Sequence, residues 1–126
     1  METKTKNVLV VEDDKDFTWI LKQGFEGQSF SVSYAADGQE GFEMAQKLNP
    51  DLIIMDILLP KMDGVATAKK IKENGIKSQI IFLTNMKDIE HVSAALDAAG
   101  QTDYIIKSDV HMDIIVKRVK EKLGLS

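Results

Sequence analysis

The chain lacks several residue types and patterns that would direct it toward particular classes of protein. It has no cysteine among its 126 residues, so neither a disulfide framework nor a thiolate metal site can form. Its two histidines, His91 and His111, are too few for a zinc site. Residues 1–7 lack the apolar stretch of a signal peptide, and no apolar run approaches the roughly 20 residues that span a bilayer. We therefore expect a cytoplasmic protein that does not enter a membrane.

Charge is mixed rather than concentrated in one sign. Sixteen basic against twenty acidic residues give a net charge of -4, and no basic tract offsets the acids near the N-terminus. This pattern argues against nucleic-acid binding by this chain. Hydrophobic residues make up 44% and charged residues 29% of the composition, which is typical of a folded globular protein. The length is that of one domain, so we expect a single domain over residues 1–126.

Five short apolar segments predict the strands of a buried sheet. Most are rich in valine, isoleucine and leucine and are bounded by polar or turn residues, as in parallel strands. The predicted strands cover residues 8–11, 30–35, 52–55, 79–83 and 103–106. The second segment alternates, with Phe30, Val32 and Tyr34 on one face.

The segments between these strands predict helices. Apolar residues recur three or four positions apart within 17–25, 42–48, 65–71 and 89–99, which gives each segment one apolar face. Asp37 and Asp63 are predicted to cap the second and third helices. A fifth helix is predicted over about residues 110–123, with Ser108 or Asp109 as its N-cap and Gly124 as its end.

The regular alternation of strand and helix predicts an α/β fold. Five consecutive strand–helix units, connected by right-handed crossovers, form a doubly wound parallel sheet with helices on both faces. This (βα)5 sandwich has three layers, and the expected strand order is 2-1-3-4-5. In such sheets the functional crevice lies beyond the carboxyl ends of the strands, here between the first and third.

Charged and polar side chains stand where the predicted strands end at this crevice. They are Glu12, Asp13 and Asp14 after the first strand, Asp56 after the third, Thr84 after the fourth and Lys107 after the fifth. Carboxylates brought this close repel one another unless a cation neutralises them. Oxygen ligands favour Mg²⁺ or a similar hard ion, which would also accept a phosphate oxygen. Asp56 could then act as a nucleophile toward phosphorus, with Lys107 and Thr84 contacting the phosphoryl oxygens.

Four groups of residues, in matching order and spacing, carry a family resemblance. They are Val-Val-Glu-Asp at 10–13, Asp-Leu-Ile-Ile-Met-Asp at 51–56 with Pro-Lys-Met-Asp-Gly at 60–64, Phe-Leu-Thr at 82–84, and Asp-Tyr-Ile-Ile-Lys at 103–107. The chain resembles the receiver domains of response regulators over essentially its whole length. The architecture implied is the flavodoxin-like sandwich already expected from the alternation of elements.

The resemblance implies that Asp56 accepts a phosphoryl group from the phosphohistidine of a sensor histidine kinase or histidine phosphotransfer protein. Glu12 and Asp13 would be the acidic pair, and Mg²⁺ would be bound at Asp13, Asp56 and the backbone carbonyl of Leu58. Receivers of this kind catalyse only their own phosphoryl acceptance and slow dephosphorylation, so the chain is not expected to be an enzyme for a separate substrate.

The resemblance also implies a conformational switch. Thr84 would move toward the phosphoryl group, and Tyr104 would change rotamer to fill the space left behind. The surface of the predicted fourth helix, fifth strand and fifth helix would then bind a downstream protein target. The chain would be a monomer or a phosphorylation-dependent homodimer.

Two departures from the family pattern concern the site. Ser108 follows Lys107 where relatives often carry proline, and a cis bond before a residue other than proline costs roughly 2.5–4 kcal/mol. Leu58 and Met86 occupy the two positions at which the family tunes hydrolysis of the acyl phosphate. Neither side chain can orient a water molecule, so we expect slow autodephosphorylation.

Two other functions are compatible with the architecture. A phosphatase of the haloacid dehalogenase type also places a nucleophilic aspartate at a strand end, but it requires a second aspartate where this chain has Leu58. A flavodoxin-like cofactor binder requires a phosphate-binding loop after the first strand, where the acids from Glu12 to Asp14 would repel phosphate.

Overall fold

The computed structural model describes residues 5–85, 103–109 and 111–125, and within them the five predicted strands form one parallel sheet. The strands are β1 (Asn7–Val11), β2 (Ser31–Ala35), β3 (Leu52–Asp56), β4 (Gln79–Thr84) and β5 (Tyr104–Ile106). Their order is β2-β1-β3-β4-β5, which confirms the predicted topology. Every neighbouring pair is parallel.

As predicted, helices connect β1 to β2, β2 to β3 and β3 to β4, and a further helix follows β5. They are α1 (Lys15–Phe25), α2 (Gly38–Leu48), α3 (Gly64–Glu73) and a C-terminal helix (Met112–Leu123). The fourth helix predicted over residues 89–99 lies outside the described residues, as do Met86 and His91. In the described ranges no helix is long and apolar enough to cross a membrane.

The core consists of two apolar clusters, one on each face of the sheet. Leu9 and Val11 of β1 belong to the cluster beneath α2 and α3, whereas Val8 and Val10 belong to the cluster beneath α1 and the C-terminal helix. Successive side chains of a strand point to opposite faces, so both sets must be apolar when helices cover both faces. Strand β3, in the centre, is buried along its whole length.

The helix caps agree with the sequence for α2 and α3 and differ for the C-terminal helix. Asp37 accepts a hydrogen bond from Glu40 N at 2.8 Å, and Asp63 accepts one from Ala66 N at 2.8 Å. Both predicted caps are therefore confirmed. The predicted end is also confirmed, since Gly124 adopts the left-handed conformation with φ 72° after the last helical residue.

The predicted start of the C-terminal helix was wrong. Neither Ser108 nor Asp109 is its N-cap, because residues Lys107–Asp109 form a short 3₁₀ turn directly after β5. The N-cap is His111, whose side chain makes no capping hydrogen bond, and the helix begins at Met112. The turn uses residues that could otherwise have capped the helix.

Gly64 allows α3 to begin against the end of β3. Its N–H donates to Ile57 O at 2.8 Å, and a Cβ atom at this position would overlap the backbone carbonyl of Asp56. Backbone atoms cannot move aside as a flexible side chain can. The close approach therefore fixes how the loop after Asp56 leaves the sheet.

We expect Gly64→Ala to lower the free energy of unfolding by about 1–3 kcal/mol, the usual cost of inserting a methyl group into a packed site. Urea denaturation would measure it. Gly24→Ala in α1 is the matched control, because its Cβ would meet side-chain atoms of Met112 rather than backbone and alanine favours the helix by about 1 kcal/mol. Equal stability of Gly64→Ala and the native chain would contradict this account.

Candidate functional site

Three acidic side chains meet at the carboxyl edge of β1 and β3. Glu12 directly follows β1, and Asp56 is the last residue of β3. The strands are parallel neighbours with Val11 opposite Met55, so their ends coincide. Glu12, Asp13 and Asp56 each offer an oxygen within 4.8 Å of the others. Glu12 and Asp56 are buried, with 3% and 6% of their surface exposed, whereas Asp13 is exposed.

Lys107 supplies the cation that lies between the two buried acids. It begins the 3₁₀ turn after β5, and β5 is separated from β3 by β4. Its long side chain nevertheless brings Nζ to 2.8 Å from Asp56 Oδ2 and 2.5 Å from Glu12 Oε1. The Lys107–Ser108 peptide is trans, since the described part of the chain contains no cis bond.

Burial and charge act against each other in this cluster. The pKa of Glu12 is raised from 4.5 to about 7, first by burial and next by a hydrogen bond with Asp56, while Lys107 and the Asp14 N–H act in the opposite direction. For Lys107, burial by itself lowers the pKa, but its interactions with Asp56 and then Glu12 outweigh burial and hold the pKa above its ordinary value. One ammonium is therefore shared between two acids. The raised pKa of Glu12 means that its charged form is less favoured than in an ordinary glutamate.

The donor set fits a hard divalent cation such as Mg²⁺. All three acids offer oxygen ligands, which such cations prefer, and exposed Asp13 leaves the cluster open on one side. Glu12 Oε1 is buried and receives no well-directed hydrogen bond among the described residues, although Lys107 Nζ is close. The residues that could hold the metal are thus Glu12, Asp13 and Asp56.

The peptide after Ile57 also borders the cluster. Leu58 N donates to Asp56 Oδ1 at 3.1 Å, so its backbone lies beside Asp56, while 59% of the Leu58 surface is exposed. The use of its carbonyl as a metal ligand stays a prediction.

Thr84 and Tyr104 flank the site on β4 and β5. Thr84 ends β4 and is 2% exposed, and its Oγ1 donates to Asn85 O at 3.2 Å rather than to the acids. Tyr104 is half-buried against the cluster beneath α2 and α3. In the register of the sheet, Thr84 lies one residue beyond Leu83, the partner of Asp56, and Tyr104 lies opposite Phe82. Their roles in a switch stay predictions.

Of the three acids expected at the crevice after the first strand, Asp14 lies outside the cluster of Glu12, Asp13 and Asp56. It caps α1 instead, by accepting hydrogen bonds from Asp16 N at 2.9 Å and Phe17 N at 3.2 Å.

One contribution to the site was not predicted from the sequence. The Phe17 ring lies beside Lys107, with Nζ 4.8 Å from the ring centroid. The sequence showed Phe17 only as an apolar helix residue, because nothing local relates it to a lysine so distant in the chain.

Comparisons with known proteins agree with this geometry. A family model described as the response regulator receiver domain matches residues 8–120. The alkaline phosphatase synthesis transcriptional regulatory protein PhoP of Bacillus subtilis is 33% identical over 102 residues, 81% of this chain and 42% of that protein. The transcriptional regulatory protein SrrA of Staphylococcus aureus is 32% identical over 119 residues, 94% of this chain and 48% of that protein. The chain thus spans about half the length of these curated relatives.

A solved structure extends the similarity to three dimensions. The response regulator receiver domain protein (CheY-like) of Methanospirillum hungatei aligns with a TM-score of 0.85 at 29% identity, covering 96% of this chain and 95% of that one. The fold and the acidic edge define a receiver-type α/β domain. The chain belongs to the response regulator receiver domain family of two-component systems.

The raised pKa of Glu12 predicts how metal-free stability depends on pH. Its pKa is about 7 in the folded protein and 4.5 in its ordinary state, so between these values the folded chain binds more protons than the unfolded chain. The contribution of Glu12 to the free energy of unfolding therefore falls as pH rises through this range. The full shift in the pKa of Glu12 corresponds to a change of at most about 3 kcal/mol in the free energy of unfolding.

We expect Glu12→Gln to gain stability relative to the native chain as pH rises from about 4.5 to about 7, in urea titrations with a chelator present. Glu26→Gln is the control, because it makes the same substitution at an exposed side chain. Parallel profiles for Glu12→Gln and the native chain would show that burial does not hold Glu12 protonated.

Proposed function

We propose that Asp56 accepts a phosphoryl group from the phosphohistidine of a sensor histidine kinase or a histidine phosphotransfer protein, and that the phosphorylated domain signals to a protein target. One observation carries the proposal. Asp56, buried at the end of the central strand, lies 2.8 Å from the Lys107 ammonium and within a cluster of acids able to hold a divalent cation. The domain modifies itself and turns over no separate substrate.

In the proposed transfer, an Asp56 carboxylate oxygen attacks the phosphorus atom. A P–O bond forms, the P–N bond to the donor imidazole breaks, and its electron pair returns to the ring, leaving an acyl phosphate. Lys107 remains beside the acceptor and balances charge on the phosphoryl oxygens. When bound at Glu12, Asp13 and Asp56, Mg²⁺ supplies the positive charge that lets an anionic donor approach these acids.

The proposed switch begins at Thr84. Its hydroxyl donates to the neighbouring carbonyl of Asn85 at 3.2 Å, a long bond that a phosphoryl oxygen on Asp56 could replace with a charge-assisted one. Movement of Thr84 would leave space that the half-buried ring of Tyr104 can enter. Phosphorylation then shifts a two-state equilibrium by the difference in its interactions with the two states, and alters the surface that β5 and the C-terminal helix present to the target.

The two rival functions receive no support from the site. A phosphatase of the haloacid dehalogenase type needs a carboxylate where the exposed Leu58 stands. A flavodoxin-like cofactor binder needs hydrogen-bond donors after β1, where Glu12 and Asp13 instead present negative charge.

Incubation with acetyl phosphate and Mg²⁺ should add the mass of one phosphoryl group to the native chain. We expect no gain in mass without Mg²⁺, because the cation is absent, and none for Asp56→Asn, because the attacking carboxylate is absent. Asp51→Asn is the matched control, since Asp51 precedes the same strand at its opposite end and accepts a hydrogen bond from Asn7 N. Intact-mass spectrometry measures the mass of the chain in each sample. Phosphorylation of Asp56→Asn to the native extent would exclude Asp56 as the acceptor.

Once formed, the acyl phosphate should persist far longer than seconds, because the exposed side chain of Leu58 offers no hydrogen bond to an attacking water. Met86, the other position at which the family tunes this hydrolysis, lies outside the described residues. We expect Leu58→Gln to shorten the half-life and Leu58→Met to leave it near the native value, as measured by loss of phosphoryl mass after removal of the donor. A native half-life of seconds without a phosphatase would contradict the prediction.

A further inference from the structure

The Lys107 ammonium has neighbours of two kinds. Carboxylate oxygens of Asp56 and Glu12 lie 2.8 Å and 2.5 Å from Nζ, and the ring of Phe17 lies with its centroid 4.8 Å away. The lysine side chain is 14% exposed. An ammonium at this distance over an aromatic face is attracted by the ring quadrupole, and the attraction grows as water is excluded.

Phe17 is held in place by the same loop that carries the acids. Glu12 Oε2 accepts a hydrogen bond from Asp14 N at 3.0 Å, and the Asp14 carboxylate in turn accepts one from Phe17 N at 3.2 Å. The ring is half-buried against the cluster beneath α1 and the C-terminal helix. A continuous chain of hydrogen bonds therefore relates the backbone of Phe17 to Glu12, one of the two acids that contact the ammonium.

Phosphoryl transfer changes the anionic neighbours of Lys107 but not the aromatic one. Before transfer the ammonium pairs with a carboxylate of Asp56, and afterwards the charge resides on phosphoryl oxygens farther from the strand. A lysine side chain is flexible and can adopt many rotamers, so charge alone does not fix its position while the anion changes. A ring face is neither modified nor titrated during the reaction.

We propose that Phe17 is a positioning residue, whose ring face holds the Lys107 ammonium against Asp56 before and during phosphoryl transfer. The kinetic part of this inference rests on the proposed function, whereas the positioning of Lys107 does not. Phe17 touches neither the donor nor the reacting atoms in this account. It acts through Lys107.

The test compares variants that keep or remove the aromatic face. Phe17→Leu keeps an apolar side chain without the ring face, while Phe17→Tyr and Phe17→Trp keep a face. Phe25→Leu is the control for packing, because Phe25 lies in the same helix and cluster but pairs with Phe30 at 5.6 Å between ring centroids. Each protein is used as the full chain.

Two readouts are needed. The rate of phosphoryl gain is measured against acetyl phosphate concentration with Mg²⁺ present, and NMR records the chemical shifts and mobility of the Lys107 side chain without donor. We expect Phe17→Leu to lower the maximal rate about two- to thirtyfold, the range of a cation–π contact of about 0.5–2 kcal/mol, with little change in the half-saturating concentration. The Lys107 signals should lose their ring-current shift and become more mobile.

Rescue separates positioning from packing. Near-native rates and Lys107 signals for Phe17→Tyr or Phe17→Trp, together with a native rate for Phe25→Leu, would support the proposal. It is overturned if Phe17→Leu leaves the rate and the Lys107 mobility unchanged, or if no aromatic variant restores them. Should the native chain take up no phosphoryl group, the proposed function fails, and the NMR comparison alone decides whether Phe17 positions Lys107.

Discussion

The site depends on one ammonium group shared by two buried carboxylates. Without Lys107, Glu12 and Asp56 would stand together at the edge of the sheet with no other ion-pair partner among the described residues. Removal of one partner from a buried charge cluster typically costs about 3–5 kcal/mol. With Lys107 in place, Asp56 keeps a partner at 2.8 Å, while the pKa of Glu12 is still raised to about 7. The positive charge of Lys107 therefore neutralises the two acids only in part. This is the electrostatic reason that the cluster suits a second cation.

The sheet and its helices make this charged arrangement possible. Strand β3 is buried from end to end and contributes to both apolar clusters, so the position of Asp56 is fixed by packing on two faces. Gly64 then allows α3 to start against the carbonyl of Asp56. Apolar burial elsewhere thus offsets the cost of placing two acids where water is largely excluded.

Strand β5 connects the site to the rest of the domain. Its three residues lie between Asp103, which pairs with Lys122, and Lys107, which pairs with Asp56. Arg118 of the C-terminal helix donates to Tyr104 O at 3.0 Å. This short strand thus has one end beside Asp56 and the other tied to the C-terminal helix. In the proposed function, the connection is the physical route from Asp56 to the surface of the domain, and it joins residues that no single element contains.

The sequence by itself determined the strands, the caps at Asp37 and Asp63, and the acids at the strand ends, because hydrophobic period and capping chemistry are local properties. The strand order was expected from the regular alternation of strand and helix, since crossovers of this kind are right-handed. Tertiary structure decided the rest. Lys107 reaches Asp56 across 51 positions of sequence, and its ring neighbour Phe17 lies in a helix from the opposite end of the chain. The C-terminal helix starts at Met112 because the turn that orients Lys107 occupies the residues before it. Contacts of this kind depend on which side chains the packed sheet brings together, and no local pattern records them.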